Sequence, residues 1–423
     1  MAGFGAAHRC REAGQPAVLF DKRPHFGGHT ASFQYEGGIT FDEGPHVSFT
    51  KSERIQKILA EAVDQKFESF HTKVNNYWKG HWVKHPAQIN LHGLPPDLIV
   101  RVIRDFVEAQ GKQHGPIQNY EQWLRASFGA TFAENFPMLY TIKYHTTEAK
   151  NMSTDWIGPR LYQAKLEEVL RGALMPATVD VHYIPGFRYP TTGGFVSYLR
   201  SFMESSDVRL GHAVAGIDPR KKEVRFGNGR AMDYKALVSS MPLPDLIPLI
   251  AGTPKDVLEA AGKLSCSEVV IVNLVINRPD LIDAHWSYIY DQDVFFTRLS
   301  TPHLQSKNNV PPGCGSIQAE CYYSRKYRPL DRKPTDCIEP VIQDLLRIGV
   351  LKESDKILFR DAMHIDYANV IFDLERADAV AKVHGYLDDL GIRYCGRYGD
   401  WAYIWTDESF VSGEKAAEKA LAG

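Results

Sequence analysis

The front of the chain, Met1-Ala2-Gly3-Phe4-Gly5-Ala6-Ala7-His8-Arg9-Cys10-Arg11-Glu12-Ala13-Gly14, reads as a helix over 5–14. It has small residues on one side, charges on the other and Gly14 as its stop. A short buried strand, Ala17 to Asp21, follows at once and ends in Asp21-Lys22-Arg23. A small-residue helix running into a strand that closes on an acid is part of a mononucleotide-binding unit. In such units a G-x-G-x-x-G turn normally joins a first strand to that helix and cradles a pyrophosphate. Here no strand stands before the helix, and Gly3 is read as the last glycine of that turn. The expectation is a Rossmann-like domain without its first strand, from a longer parent that carries it.

With 423 residues, 44% apolar and 24% charged, the chain is an ordinary globular sequence of two or three domains. Its net charge of -2, with both signs interspersed, argues against a nucleic-acid groove or a polybasic membrane patch. The most apolar run, Val269 to Ile276, is too short to cross a bilayer, and no charged-then-apolar leader opens the chain. A cytoplasmic protein is expected. Cysteines at 10, 266, 314, 321, 337 and 395 show no C-x-x-C or metal-like spacing, so reduced thiols and no metal site are expected.

Turn signals and periodicity place a hairpin from Ser32 to Phe41 and helix starts at Ser52, Pro95 and Asn119. The stretch from Asp97 to Leu170 is helix-rich, with aromatics at helical spacing that are read mainly as core. Strands are predicted at Val208 to Ile217, Glu223 to Phe226 and Ala236 to Ser239. A second sheet is predicted from Glu268 to Ile276, His285 to Tyr290, Phe295 to Leu299 and Ser316 to Tyr323. Helices follow near Cys337 to Arg347 and Arg376 to Leu390.

Three segments carry chemistry. In Asp21-Lys22-Arg23-Pro24-His25-Phe26-Gly27-Gly28, a carboxylate at a strand end suits ribose hydroxyls, while paired glycines let backbone approach a pyrophosphate that Arg23 helps neutralise. In Asp42-Glu43-Gly44-Pro45-His46, a non-regular turn projects His46 as a contact for a ring edge or a substrate; a plain surface turn is the alternative. In Gly396-Arg397-Tyr398-Gly399-Asp400-Trp401, followed by Asp407-Glu408-Ser409-Phe410, glycines and a guanidinium precede a helix whose N-terminus favours an anion.

Taken together, these segments resemble the flavin-containing amine oxidase and protoporphyrinogen oxidase superfamily, and within it the UDP-galactopyranose mutase-like branch. The resemblance runs over nearly the whole length. It includes Leu19 to Arg23 with Gly27-Gly28, Gly44-Pro45-His46, Lys143 with Asp155-Trp156 and Arg160, Tyr189-Pro190 with Gly193-Gly194, Val238 to Pro242, and Gly396 to Gly399 with Trp401. It implies non-covalent FAD in a mixed α/β fold. A discontinuous FAD-binding domain would take 1–75, 185–260 and 391–423, with a helical substrate domain at 76–184 and a mixed-sheet substrate domain at 261–390. By the same resemblance Gly3, Asp21, Lys22, Arg23, Gly27, Gly28, Thr30, Val214, Gly396, Arg397, Ser409 and Phe410 would contact the cofactor. Arg298, Tyr367 and Tyr403 are similar to mutase residues around a nucleotide diphosphate, and they join His46 as the catalytic candidates. A second mutase arginine is not evident near Arg160, where Leu161 to Lys165 follow.

Three functions stay open. The first is hydride transfer from a small organic substrate to flavin N5. The second is redox-neutral ring isomerisation of a nucleotide sugar by reduced FAD. The third is a flavin-free remnant or scaffold, suggested by the unpaired backbone that an absent central strand would leave. The partner is a small molecule in the first two.

Overall fold

The first helix, Ala2–Glu12, packs on the closing helix, Thr406–Ala422, and glycines set their distance. A Cβ added at Gly5 would lie 2.0 Å from the Phe410 carbonyl oxygen, and one at Gly413 would lie 1.9 Å from that of Ala2. Gly3, read from sequence as the last glycine of a nucleotide turn, sits inside this helix and faces Leu19 of the following strand. The close approach belongs to Gly5 instead. These observations come from a computed structural model that describes residues 1–113, 115–176, 178 and 180–422.

Strand Val18–Phe20 pairs in parallel with Asp207–Arg209, and Leu237–Ser239 pairs in parallel with Ile392–Tyr394. Among the described residues no ladder joins these two pairs, so this parallel sheet stands in two pieces. An antiparallel meander of Val214–Asp218, Glu223–Phe226 and Ala231–Asp233 packs on the first pair through Phe20 and Phe226, whose ring centroids are 4.5 Å apart. The single strand expected from Val208 to Ile217 is therefore two. It breaks where the N–H groups of Gly211 and His212 donate to the carbonyls of Arg23 and Asp21, at 3.0 and 2.8 Å.

Between these pieces the chain builds a helical layer from Pro96–Gln110, Tyr120–Phe128, Ala130–Asn135, Pro137–Tyr144 and Leu166–Leu174. The starts predicted at Ser52 and Asn119 are true caps: Ser52 Oγ accepts the Ile55 N–H at 3.4 Å and Asn119 Oδ1 that of Gln122 at 3.0 Å. Leu98, Val102 and Phe106, four residues apart, bury one face of the first helix of the layer.

The third layer is a seven-stranded mixed sheet. In order across it lie Ile357–Ile365, Ser267–Ile276, Gly315–Ser324, Arg298–Ser300, Trp286–Ile289, Val74–Trp78 and His81–Lys84. Only the contact of Trp286–Ile289 with Val74–Trp78 is parallel. Ile357–Ile365 was not anticipated: it is an edge strand whose outward positions carry Arg360 and His364, which blurs its period. The two strands from 74 to 84 were also missed, and the domain boundary expected at 76 falls inside one of them. Helix Ile338–Arg347 covers the sheet face opposite the one that carries Val269 and Ile271, burying Val341, Ile342 and Leu345 against Val272, Leu274 and Ile317.

Candidate functional site

A cavity of about 1160 Å³ runs from the meander past the glycine turn to the open face of the mixed sheet. Small-molecule pockets span roughly 300–1,000 Å³, so this one has room for a large cofactor and a second molecule beside it. At the meander end stand Val214 and Asp21, whose Oδ1 accepts the Arg23 N–H at 2.9 Å. Next comes the turn at Gly27, which adopts φ +105°; a Cβ there would lie 3.0 Å from Val196 Cγ2 and 3.1 Å from the Ala31 backbone. Thr30 closes the turn by donating its hydroxyl to the Gly27 carbonyl at 2.8 Å. The N–H groups of Gly28 and His29 find no acceptor among the described residues.

Glu43 lies on the same wall, only 5% exposed. One carboxylate oxygen takes the Arg23 guanidinium and the other meets His29 Nδ1 at 2.8 Å. Burial pushes its acidity one way, but the His29 and Arg23 bonds outweigh it and hold the carboxyl below its ordinary range. His46 Nδ1 lies 2.9 Å from the Gly44 carbonyl, and burial pushes this imidazole down to about 4, so it is neutral near pH 7. From the closing segment, Arg397 donates to the Ile404 carbonyl at 3.0 and 2.7 Å and to that of Ala368 at 3.2 Å. No carboxylate pairs with Arg397 among the described residues.

The far end of the cavity is set by strand register. Tyr288 stands opposite Arg298, Arg298 opposite Glu320, and Glu320 opposite Ile271. Residues two apart share a face, so Tyr322 and Val269 project the same way, and all six line the cavity. Glu320 grips Arg298 in a bidentate pair, Nε to Oε2 at 2.5 Å and Nη2 to Oε1 at 2.7 Å, and also accepts the Tyr322 hydroxyl at 2.8 Å. Burial works against the guanidinium's charge, but the Glu320 carboxylate more than restores it. Arg298 Nη1 has no partner among the described residues. Tyr144, from the helical layer, meets Tyr403 hydroxyl to hydroxyl at 3.0 Å, and Tyr183 lies within electrostatic reach of Arg298.

Of the positions singled out by sequence, Gly3, Asp21, Gly27, Gly28, Thr30, Val214, His46, Arg298, Tyr367, Gly396, Arg397, Tyr403 and Ser409 all line this one cavity. Three do not. Lys22 is exposed outside it. Arg23 turns its guanidinium onto Glu43. Phe410 is core, packed 5.4 Å from Phe202 and 5.6 Å from His8 between ring centroids. Tyr367 lines the cavity, but its hydroxyl is committed to Asp245 Oδ1 at 2.6 Å. Arg160, where no second arginine was anticipated, lies 4.5 Å from the ring centroids of both Tyr403 and Trp405, two wall residues. Sequence reasoning missed Glu43, Glu320 and the tyrosines 144, 183, 288 and 322. The Glu320 signal was present: Gln318, Glu320 and Tyr322 put polar groups on alternate positions of an apolar strand.

The sequence profile described as flavin containing amine oxidoreductase matches residues 1–302. The chain belongs to that family. Among solved structures, a reduced UDP-galactopyranose mutase aligns at 26% identity over 100% of this chain and 93% of its own, with TM-score 0.93. A putrescine oxidase bound to putrescine aligns at 14% identity over 100% of this chain and 97% of its own, with TM-score 0.64. A conjugated-linoleic-acid-producing fatty acid isomerase from P. acnes aligns at 12% identity over 99% and 96%, with TM-score 0.66. These last two share the fold. As a flavin-containing amine oxidoreductase, the chain takes FAD as its cofactor. The residues present fit it: a glycine turn with free N–H groups, a carboxylate at a strand end, and the buried Gln305 Nε2, which has no partner and belongs to a wall residue. No helix among the described residues is long and apolar enough to cross a membrane.

Proposed function

We propose that this flavoenzyme acts on a nucleotide diphosphate sugar by redox-neutral opening and reclosure of the sugar ring. The observation that carries this reading is Arg298: a half-buried guanidinium with one nitrogen free, braced by the buried Glu320 and set among tyrosines 144, 288 and 322. Such a site suits an anionic, polyhydroxylated ligand, because a fixed guanidinium clamps phosphate oxygens and phenols serve sugar hydroxyls. The full-length likeness to a reduced UDP-galactopyranose mutase supports the same reading. FAD in its reduced form supplies the nucleophilic ring nitrogen for such chemistry.

The chain's own residues have distinct tasks in this reading. Asp21 would accept ribose hydroxyls, Gly27, Gly28 and Thr30 would bring backbone to the cofactor's diphosphate, and Val214 would edge the adenine. Gly396, Arg397 and Ser409 would stand near the other end of the cofactor. Arg298 would hold the substrate's diphosphate as it leaves and returns, with Tyr403 and Tyr144 donating hydroxyls beside it. Tyr367, its hydroxyl spent on Asp245, would shape the wall with its ring. His46, neutral, would serve as a hydrogen-bonding contact instead of a cation.

Calorimetric titration with UDP tests the reading. Wild type binds, and Arg298→Ala weakens binding about 10- to 100-fold, the scale of one hydrogen-bonded charge. Absence of binding by UDP and other nucleoside diphosphates, or an unaltered affinity in Arg298→Ala, would sink it. The family itself favours a second reading, hydride transfer from an amine or other small organic donor to flavin N5. Anaerobic bleaching of the flavin by such a donor would move the balance there.

A further inference from the structure

The diphosphate cradle contains an acid of its own. Glu43 is 5% exposed, lines the cavity together with Gly27, Gly28 and His29, and spends both carboxylate oxygens on cationic or protonatable neighbours, Arg23 and His29. Arg23 also reaches the Gly28 carbonyl at 3.5 Å, so this guanidinium is tied to the glycine turn itself. The free N–H groups of Gly28 and His29 offer an anion a place, yet the nearest full positive charge is already neutralised. Two negative phosphates entering there meet a third negative group at close range in a partly dry wall, where like charges are poorly screened.

We infer that Glu43 is a resident anion of the cofactor site: it organises Arg23 and His29 and at the same time opposes the diphosphate of FAD, so that it sets a deliberately moderate cofactor affinity. Glu43→Gln keeps the shape and the hydrogen-bonding oxygen while removing the charge. His29 on the wall, and Arg23 behind it, then act on the diphosphate without a competing carboxylate.

The test uses full-length protein stripped of flavin, titrated with FAD and, separately, with riboflavin, following flavin fluorescence. Riboflavin has the ring system but neither the phosphates nor the adenosine, so the difference between the two ligands reports the ADP half, whose only charges near Glu43 are those of the diphosphate. Glu43→Gln binds FAD on the order of tenfold more tightly than wild type, the scale of one screened like-charge contact, with riboflavin affinity unchanged. A variant that binds FAD equally or more weakly, or shifts FAD and riboflavin together, overturns the inference. Arg23→Met provides the second arm: it leaves Glu43 unneutralised and weakens FAD on the order of tenfold, again sparing riboflavin. Should Glu43→Gln fail to give a cooperative thermal melt, Arg23→Met decides alone, and unchanged FAD binding there overturns the inference. FAD binding by Glu43→Gln where wild type takes none supports it, and binding by neither overturns it.

Discussion

The two ends of the cavity are built on opposite principles. At the dinucleotide end, backbone does the work: a parallel sheet in two pieces, a turn at Gly27, and free N–H groups. At the far end, an unbroken seven-stranded sheet presents side chains in register, Tyr288, Arg298, Glu320 and Tyr322. On the proposed reading, the first end would recognise groups common to every adenine dinucleotide, and the second would carry what distinguishes one substrate from another. Changes at the two ends should therefore be separable: one set alters flavin binding, the other alters ligand binding while flavin stays.

The largest expected effect is at the far end. Glu320→Ala leaves the half-buried Arg298 an unpaired cation; removing one partner of a buried pair costs about 3–5 kcal/mol, and the loss here lies toward the lower figure. Urea unfolding measures it, and a loss under about 1 kcal/mol would mean that Arg298 is solvated, placing the pair among exposed ones. At the other end, Gly5→Ala pushes a methyl group into the Phe410 carbonyl, and overpacking costs about 1–3 kcal/mol. Its expected signature differs from that of Glu320→Ala: the first and closing helices part beside the proposed flavin site, so FAD is lost at lower urea than is needed to unfold the mixed sheet. Flavin release coincident with global unfolding in both variants would dissolve the comparison.

This division also explains what could be read from the sequence. Backbone recognition leaves its mark in residue type, because glycines and the acid that ends a strand are local signals; Asp21, Gly27, Gly28 and Gly396 all reach the cavity. Side-chain recognition depends on which strands become neighbours, and Arg298 meets Glu320 only because two strands 22 residues apart pair in one register. Nothing within either segment states that pairing. Arg23 shows the same limit at the dinucleotide end: its place in the motif was legible, but its partner Glu43 is 20 residues on. Phe410 failed for the converse reason, since helical phase turned it away from the cavity while Ser409 beside it faces in.

Two groups of the 42–46 segment give opposed pH responses. Asp42 sits under Phe195, Ser32 and Tyr189, which donate to it at 3.0, 2.6 and 2.8 Å; burial nevertheless pushes its carboxyl up to about 6. A raised carboxyl pKa means the folded chain binds more protons than the unfolded one between about pH 4 and 6, so this group's stability contribution falls as pH rises through that window. His46, pushed down to about 4, does the reverse: the unfolded chain binds more protons, and stability falls as pH drops from about 6.5 to 4. On flavin-stripped protein, the stability difference between Asp42→Asn and wild type moves in the variant's favour by about 2 kcal/mol from pH 4 to 6. That between His46→Gln and wild type moves against the variant over the same interval. Parallel pH trends in both variants would contradict the assignment.

The smallest expected effect tests the comparison's sharpest edge. Lys22 lies between Asp21 and Arg23 in sequence, and motif logic alone would give all three to the cofactor. The strand ends at Phe20, and the bend that follows separates them: Asp21 lines the cavity, whereas Lys22 is exposed outside it. The charge of an exposed lysine is screened by salt over roughly 8 Å, and surface substitutions generally stay within about 0.5 kcal/mol. Lys22→Ala should therefore change FAD affinity by less than about twofold in fluorescence titration at physiological salt, while Asp21→Ala loses far more. If Lys22→Ala instead weakened FAD as strongly as Asp21→Ala, the wall of the dinucleotide end would have to be rotated by one residue from where the backbone puts it.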